Sequence, residues 1–180
     1  MDILAHALYG AALCSRSGVQ SIFIKQGNKK TIKDWTFWAS CFFAVIPDLF
    51  SLGIYFSYLS IKGIGIRWYG MPYPILFLYK ILHSLPSALL IILLIRFIYK
   101  PLVLPSLAWP LHIVIDAFLH DQGKFKTPLF FPFINMNIKG INWWENPWVV
   151  EIYWLVLMLL WIIIIYKGNK SEHRTSETVY

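Results

Sequence analysis

Four apolar blocks decide what this chain can fold into. Residues 36–61, 73–99, 101–119 and 148–166 are long runs of Ile, Leu, Val, Phe and Trp. Each is near or above the roughly 20 residues a helix needs to cross the hydrocarbon of a bilayer. Water is absent there, so the backbone must satisfy itself, and helices do this within one segment. The expected fold class is all-α, a polytopic membrane helix bundle with four to five apolar helices. Residues 1–166 are read as a single membrane-embedded domain and 167–180 as a polar, disordered C-terminal tail. The fifth helix is residues 1–14, which are apolar but short. They lack a basic leader and carry Asp2 and His6, which argues against a signal peptide. Pro47-Asp48 falls near the middle of the first block, and Pro105 and Pro110 are expected to kink the third.

Composition supports the membrane reading. The chain is 58% hydrophobic and 18% aromatic, with a mean hydropathy of +0.58, well beyond a soluble average. Trp35, Trp38, Trp68, Tyr69, Trp143, Trp144, Trp148 and Tyr166 lie near block ends, where interfacial belts form. The net charge of +7 is accounted for by cytoplasmic retention and by anionic lipid head groups. The bilayer is therefore the expected partner and nucleic acid is not. Cys14 and Cys41 both lie in apolar stretches and read as buried small hydrophobes.

Orientation follows from the basic residues. If the loop at 15–35 is cytoplasmic, alternating spans put Arg16, Lys25, Lys29, Lys30, Lys33, Arg96, Lys100, Lys167, Lys170 and Arg174 inside. Lys62, Arg67, Lys124, Lys126 and Lys139 then fall outside. This two-to-one bias makes the 15–35 loop and the C-terminal tail cytoplasmic.

Ionisable groups inside such blocks cost about 2.5–3.5 kcal/mol each on insertion scales, so they mark function. With this topology His6, Asp48, His83, His112, Asp116 and His120 all fall from the middle to the outer half of the bilayer. His112 and Asp116 are four apart and project from one helix face, as do Asp116 and His120, and Asp2 and His6. A buried hydrogen bond accounts for one such pair; the added residues at matching depth point to a metal. Mixed imidazole and carboxylate donors suit Zn, with Mn or Fe as alternatives. Such a site acidifies a bound water toward pH ~7 for attack. Asp48 is read as a ligand or as the base orienting that water. His120 and Asp121 form a possible additional site.

Lys80, three residues before His83, reads either as a snorkelling lysine or as a catalytic anion clamp for a phosphate. Glu151 reads as interfacial, and Ser84 and Ser87 as helix-packing residues.

The segments MDILAHALYGAA, VIPDLFS, ILHSLPSALL and LAWPLHIVIDAFLHDQGKFKTPLFFPF together resemble the bacterial YdjM-like (LexA-binding, inner-membrane) family of metal-dependent hydrolases. The resemblance covers residues 1 to about 150, and its specificity lies in motif order. That family is in turn similar to zinc-dependent phospholipase C and P1-type nucleases, helical enzymes that hydrolyse phosphodiesters. The resemblance implies His6, Asp48, His83, His112 and Asp116 as metal ligands, with Asp116 able to bridge. It also implies a bacterial inner-membrane location. Ala5 stands where Thr or Ser commonly precedes the first histidine, and no second His-x3-Glu/Asp motif follows residue 121. One or two divalent ions are therefore expected rather than three.

Three functions compete. The first is a metal-dependent hydrolase of a phosphoester or lipid-linked substrate. The second is a metal transporter or sensor, which needs access from both faces. The third is a structural membrane protein with a buried His/Asp network.

Overall fold

The computed structural model describes residues 1–23, 33–65, 70–120 and 126–177, with side chains to Gly168. Asp121 and Lys124 lie outside the described residues. The described chain is built from helices: α1 (Ile3–Cys14), α2 (Gln20–Phe23), α3 (Trp35–Asp48), α4 (Ile54–Ile61), α5 (Tyr73–Leu82), α6 (Leu85–Ile98), α7 (Val103–Ser106), α8 (Ala108–Leu119) and α9 (Pro147–Glu177). Three continuous helical stretches are long and apolar enough to cross a membrane: Trp35–Ile61, Lys100–Leu119 and Pro147–Gly168. The fourth block is a bent pair, α5 and α6, meeting at 63°. At twelve residues, α1 spans only about 18 Å, short of a hydrocarbon core of about 30 Å. Outward faces of α6 and α9 are lined with exposed Leu89, Leu93, Phe97, Leu155, Leu159 and Ile163, apolar surfaces suited to lipid.

The polar residues from 167 onward continue α9 to Glu177. The Pro47 ring cannot donate a helical N–H, and a π-helical turn over Leu49–Gly53 follows it before α4 begins. Ser51 Oγ donates to the Pro47 carbonyl there. Near Pro105, the third span divides into a 3-10 turn (Lys100–Leu102), α7 and α8, with Leu107 between the two α-helices.

The second span differs most from a straight crossing. Pro86 sits in the first turn of α6, so its missing N–H leaves the Leu82 carbonyl without a helical donor and its ring obstructs a continuous turn. Trp109 Nε1 donates to that carbonyl at 2.8 Å. Leu85 N donates to the Leu129 carbonyl at 2.9 Å, and Ser84 Oγ to the Phe131 carbonyl at 2.6 Å. The break is thus supported by protein on every side, the condition under which irregular backbone is tolerated at membrane depth.

Small residues bring α1, α3 and α8 close. A Cβ built on Gly10 would lie 2.6 Å from Ala44 Cβ and 3.1 Å from both Ala108 Cβ and the Ser40 carbonyl. Asp2 caps α1 by accepting from Ala5 N at 2.9 Å and also accepts from Tyr153 Oη at 2.6 Å and Trp154 Nε1 at 3.2 Å, which ties α1 to α9. At the end of α8, the carbonyls of Phe118, Leu119 and His120 accept from the backbone N–H groups of Ile141, Trp143 and Gly140. A side chain at Gly140 would meet the His120 oxygen at 2.4 Å, so this strap closes only over glycine.

Candidate metal centre

Three helices and one helix break deliver the site. His6 comes from the second turn of α1, Asp48 from the end of α3, His83 from the α5–α6 break, and His112 with Asp116 from one face of α8. His6, His83, His112 and Asp116 are each no more than 1% exposed. Asp48 keeps 14% of its side chain open, which makes it the most accessible of the five.

Donor atoms of His6, Asp48, His112 and Asp116 all lie within 4.8 Å of one another. Asp116 is the hub. Its Oδ1 lies 2.9 Å from His6 Nε2 and 3.0 Å from the Met1 nitrogen, and its Oδ2 lies 3.3 Å from His112 Nε2. The His6 and His112 rings stack with centroids 3.8 Å apart. His83 joins from the other side: its Nε2 is 3.4 Å from Asp48 Oδ1 and 3.4 Å from His112 Nε2. Asp48 Oδ1 is itself 3.9 Å from His112 Nε2. His83 therefore touches two members without belonging to the tight group of four.

Tautomers sharpen the picture. His83 Nδ1 lies 3.0 Å from the Tyr79 carbonyl, and a carbonyl can only accept, so Nδ1 carries the hydrogen. In the neutral ring Nε2 then presents a lone pair toward a carboxylate oxygen and a second imidazole nitrogen. The His112 nitrogen can donate to that lone pair, but the Asp48 carboxylate oxygen repels it unless a proton or a cation lies between them. In addition, His6 Nδ1 and His112 Nδ1 are buried with no hydrogen-bond partner among the described residues. Each such orphan costs about 1–3 kcal/mol. The cluster is not self-satisfied.

Five of the expected ligands are thus brought together, and other expectations sort differently. Asp2, four before His6, turns away to α9 as described above. His120 caps α8 with Nδ1 3.7 Å from Asp116 Oδ2 and its ring 5.5 Å from Trp144. Asp121 lies outside the described residues. Lys80 points its Nζ over the Phe131 ring, 5.8 Å from the centroid, and makes no ion pair with Asp48 or Asp116. Two contributors had no signal in the sequence. Tyr79 stacks on His83 at 4.0 Å and fixes its tautomer. Trp109 holds the break that presents His83. Glu151 is exposed on α9, as an interfacial residue is.

No family model matches this chain, and no curated protein or solved structure is significantly similar to it.

Proposed function

We propose that this chain is a membrane-embedded, metal-dependent hydrolase acting on a phosphoester or lipid-linked substrate. The observation that carries the metal reading is the convergence of His6, Asp48, His112 and Asp116 donor atoms within 4.8 Å of one another, with the His83 lone pair facing the Asp48 oxygen at 3.4 Å. A divalent cation turns that repulsive contact into ligand contacts, and a donor set of imidazoles and carboxylates without thiolate suits Zn, Mn or Fe. His6, His112 and Asp116 would hold the ion with Asp48, and His83 would close the ring from the break. When bound, such an ion supplies Lewis acidity and activates water. Asp48, the accessible carboxylate, would alternatively act as the base that takes a proton from that water. The order of motifs resembling the YdjM-like hydrolases supports the reaction class.

A structural network is the second reading, favoured by the 2.9 Å His6–Asp116 contact, which needs no metal. Elemental analysis separates the two. Protein purified in detergent without chelators should carry about one equivalent of a transition metal, Zn foremost. Stoichiometrically metal-free protein that also takes up none on adding zinc would leave the network reading standing.

The site is proposed to open to the non-cytoplasmic side of a bacterial inner membrane, on the basic-residue bias. Lys33 and Lys139 are both exposed and lie in loops the bias assigns to opposite faces. In a background lacking Cys14 and Cys41, a cysteine at 139 should react with a membrane-impermeant thiol reagent on intact cells, and one at 33 only after lysis. The reverse pattern would move the site to the cytoplasmic leaflet.

A further inference from the structure

A cleft of about 470 Å³ lies beside the metal centre, between α5 and the segment 126–135. Its walls mix two kinds of chemistry. Lys80 and Lys126 supply two ammonium groups and Asn135 an amide, while Leu76, Phe131 and Ile134 supply apolar surface. No Asp or Glu lines it among the described residues. Both lysines are half-buried, and among the described residues neither is ion-paired with a carboxylate. Like charges gathered in a partly desolvated cleft repel one another, and the cost grows as the local dielectric falls. A dianion between them removes it. The volume is within the range of small-molecule sites and exceeds what one phosphate fills, which leaves room for organic material along the Phe131 and Ile134 wall.

The cleft and the metal centre share a wall. Tyr79 lines the cleft, stacks its ring on His83 at 4.0 Å, and accepts the His83 Nδ1–H on its carbonyl. Lys80 is the next residue on α5, and Phe131, which Lys80 covers, accepts from Ser84 at the break through its carbonyl. One set of residues thus builds both the break that presents His83 and the cationic cleft beside it.

We infer that this cleft is a phosphate-recognition site: Lys80 and Lys126 hold a phosphate group and Phe131 with Ile134 packs the carbon skeleton attached to it. The inference rests on the hydrolase reading for its purpose, which is to place a phosphorylated substrate one side chain from the metal centre. The binding itself needs no metal. A membrane phospholipid and a soluble phosphate ester share this chemistry.

The test uses full-length protein in a neutral maltoside detergent, stripped with a chelator so that the metal centre cannot capture the anion. Inorganic phosphate, dihexanoyl phosphatidic acid and dihexanoylglycerol are titrated separately by calorimetry into the wild type and the Lys80→Met/Lys126→Met variant, which keeps the stems and removes the charges. Phosphatidic acid should bind the wild type and weaken at least tenfold in the variant, and dihexanoylglycerol should not bind. Phosphatidic acid at least tenfold tighter than inorganic phosphate identifies a lipid head group as the source; equal affinities identify a soluble phosphate and overturn the packing role of Phe131 and Ile134. Unchanged affinity in the variant, or equal binding of dihexanoylglycerol, overturns the inference. Zinc uptake by the variant should match the wild type. If both phosphate and zinc binding fail, Lys126→Met alone, on the loop away from the helix break, decides: it should lose at least threefold in phosphate affinity with zinc uptake intact, and no loss overturns the inference. A wild type that binds phosphate but no zinc overturns the metal reading and leaves the cleft.

Discussion

Replacing Asp116 by alanine should empty the metal centre while leaving the protein in the membrane. Asp116 is the group that most of the cluster faces: His6 and the Met1 nitrogen on Oδ1, His112 and His120 on Oδ2. Its removal deletes one anionic donor outright. It also takes away the acceptor that holds the His6 and His112 imidazoles in place, and supporting partners alone are commonly worth 10–100-fold in metal affinity. Loss of both roles should lower affinity by more than about 100-fold, so that metal per chain falls below a tenth of the wild-type value. Insertion depends on hydropathy, which the change improves by taking a carboxylate out of an apolar helix. Membrane-fraction yield should therefore hold. His112→Ala should behave alike, since its Nε2 lies within 4 Å of Asp116, His83 and Asp48. Elemental analysis on the membrane-extracted variants reads the result. Full metal content in the Asp116→Ala, His112→Ala double variant would show that the α8 pair only ties helices together.

Gly10→Val should damage the same centre without touching a ligand. The added Cβ alone would stand 2.6 Å from Ala44 Cβ, well inside the separation of about 3.5–4.0 Å at which carbon atoms rest. Neither Ala44 on α3 nor Ala108 on α8 has a flexible side chain to move aside, so α1 must shift outward. Overpacking of this kind typically costs about 1–3 kcal/mol. Gly10 is one turn beyond His6 on the same helix face, so the shift carries His6 away from Asp116, now 2.9 Å distant. Expected results are a lowered midpoint of thermal unfolding by circular dichroism and a metal content cut to less than half. Gly10→Ala should show the same losses in smaller measure. Wild-type metal content and stability in Gly10→Val would mean that α1 does not pack here, and His6 would then leave the ligand set.

What the chain determines by local pattern is clear from particular residues. The apolar blocks mark the helices long and apolar enough to cross a membrane because composition over about 20 residues is enough to decide them. The three residues His112, Asp116 and His120 fall on one stripe because the helical period places i and i+4 together. His6, Asp48 and His83 come from segments distant in sequence, and packing brings them within reach of His112 and Asp116.

Periodicity is silent on everything that needs a second element. Asp2 and Asp116 each stand four residues from a histidine, yet Asp2 turns to Tyr153 and Trp154 while Asp116 becomes the hub. The difference is which helix lies alongside. Lys80 shares a helix with Tyr79, but its neighbour's ring faces His83 and its own ammonium faces Phe131. The second block reads as one straight span, and Pro86 alone does not fix where it breaks. The break becomes stable only because Trp109 and the segment around Leu129 and Phe131, distant in sequence, satisfy the backbone groups it frees. A buried carbonyl must find a donor wherever the fold provides one. Apolar pattern and helical spacing are local properties and were legible in the chain by itself. The partner of each buried polar group is set by close packing among α1, α3, α8 and the loop, which only the tertiary structure decides.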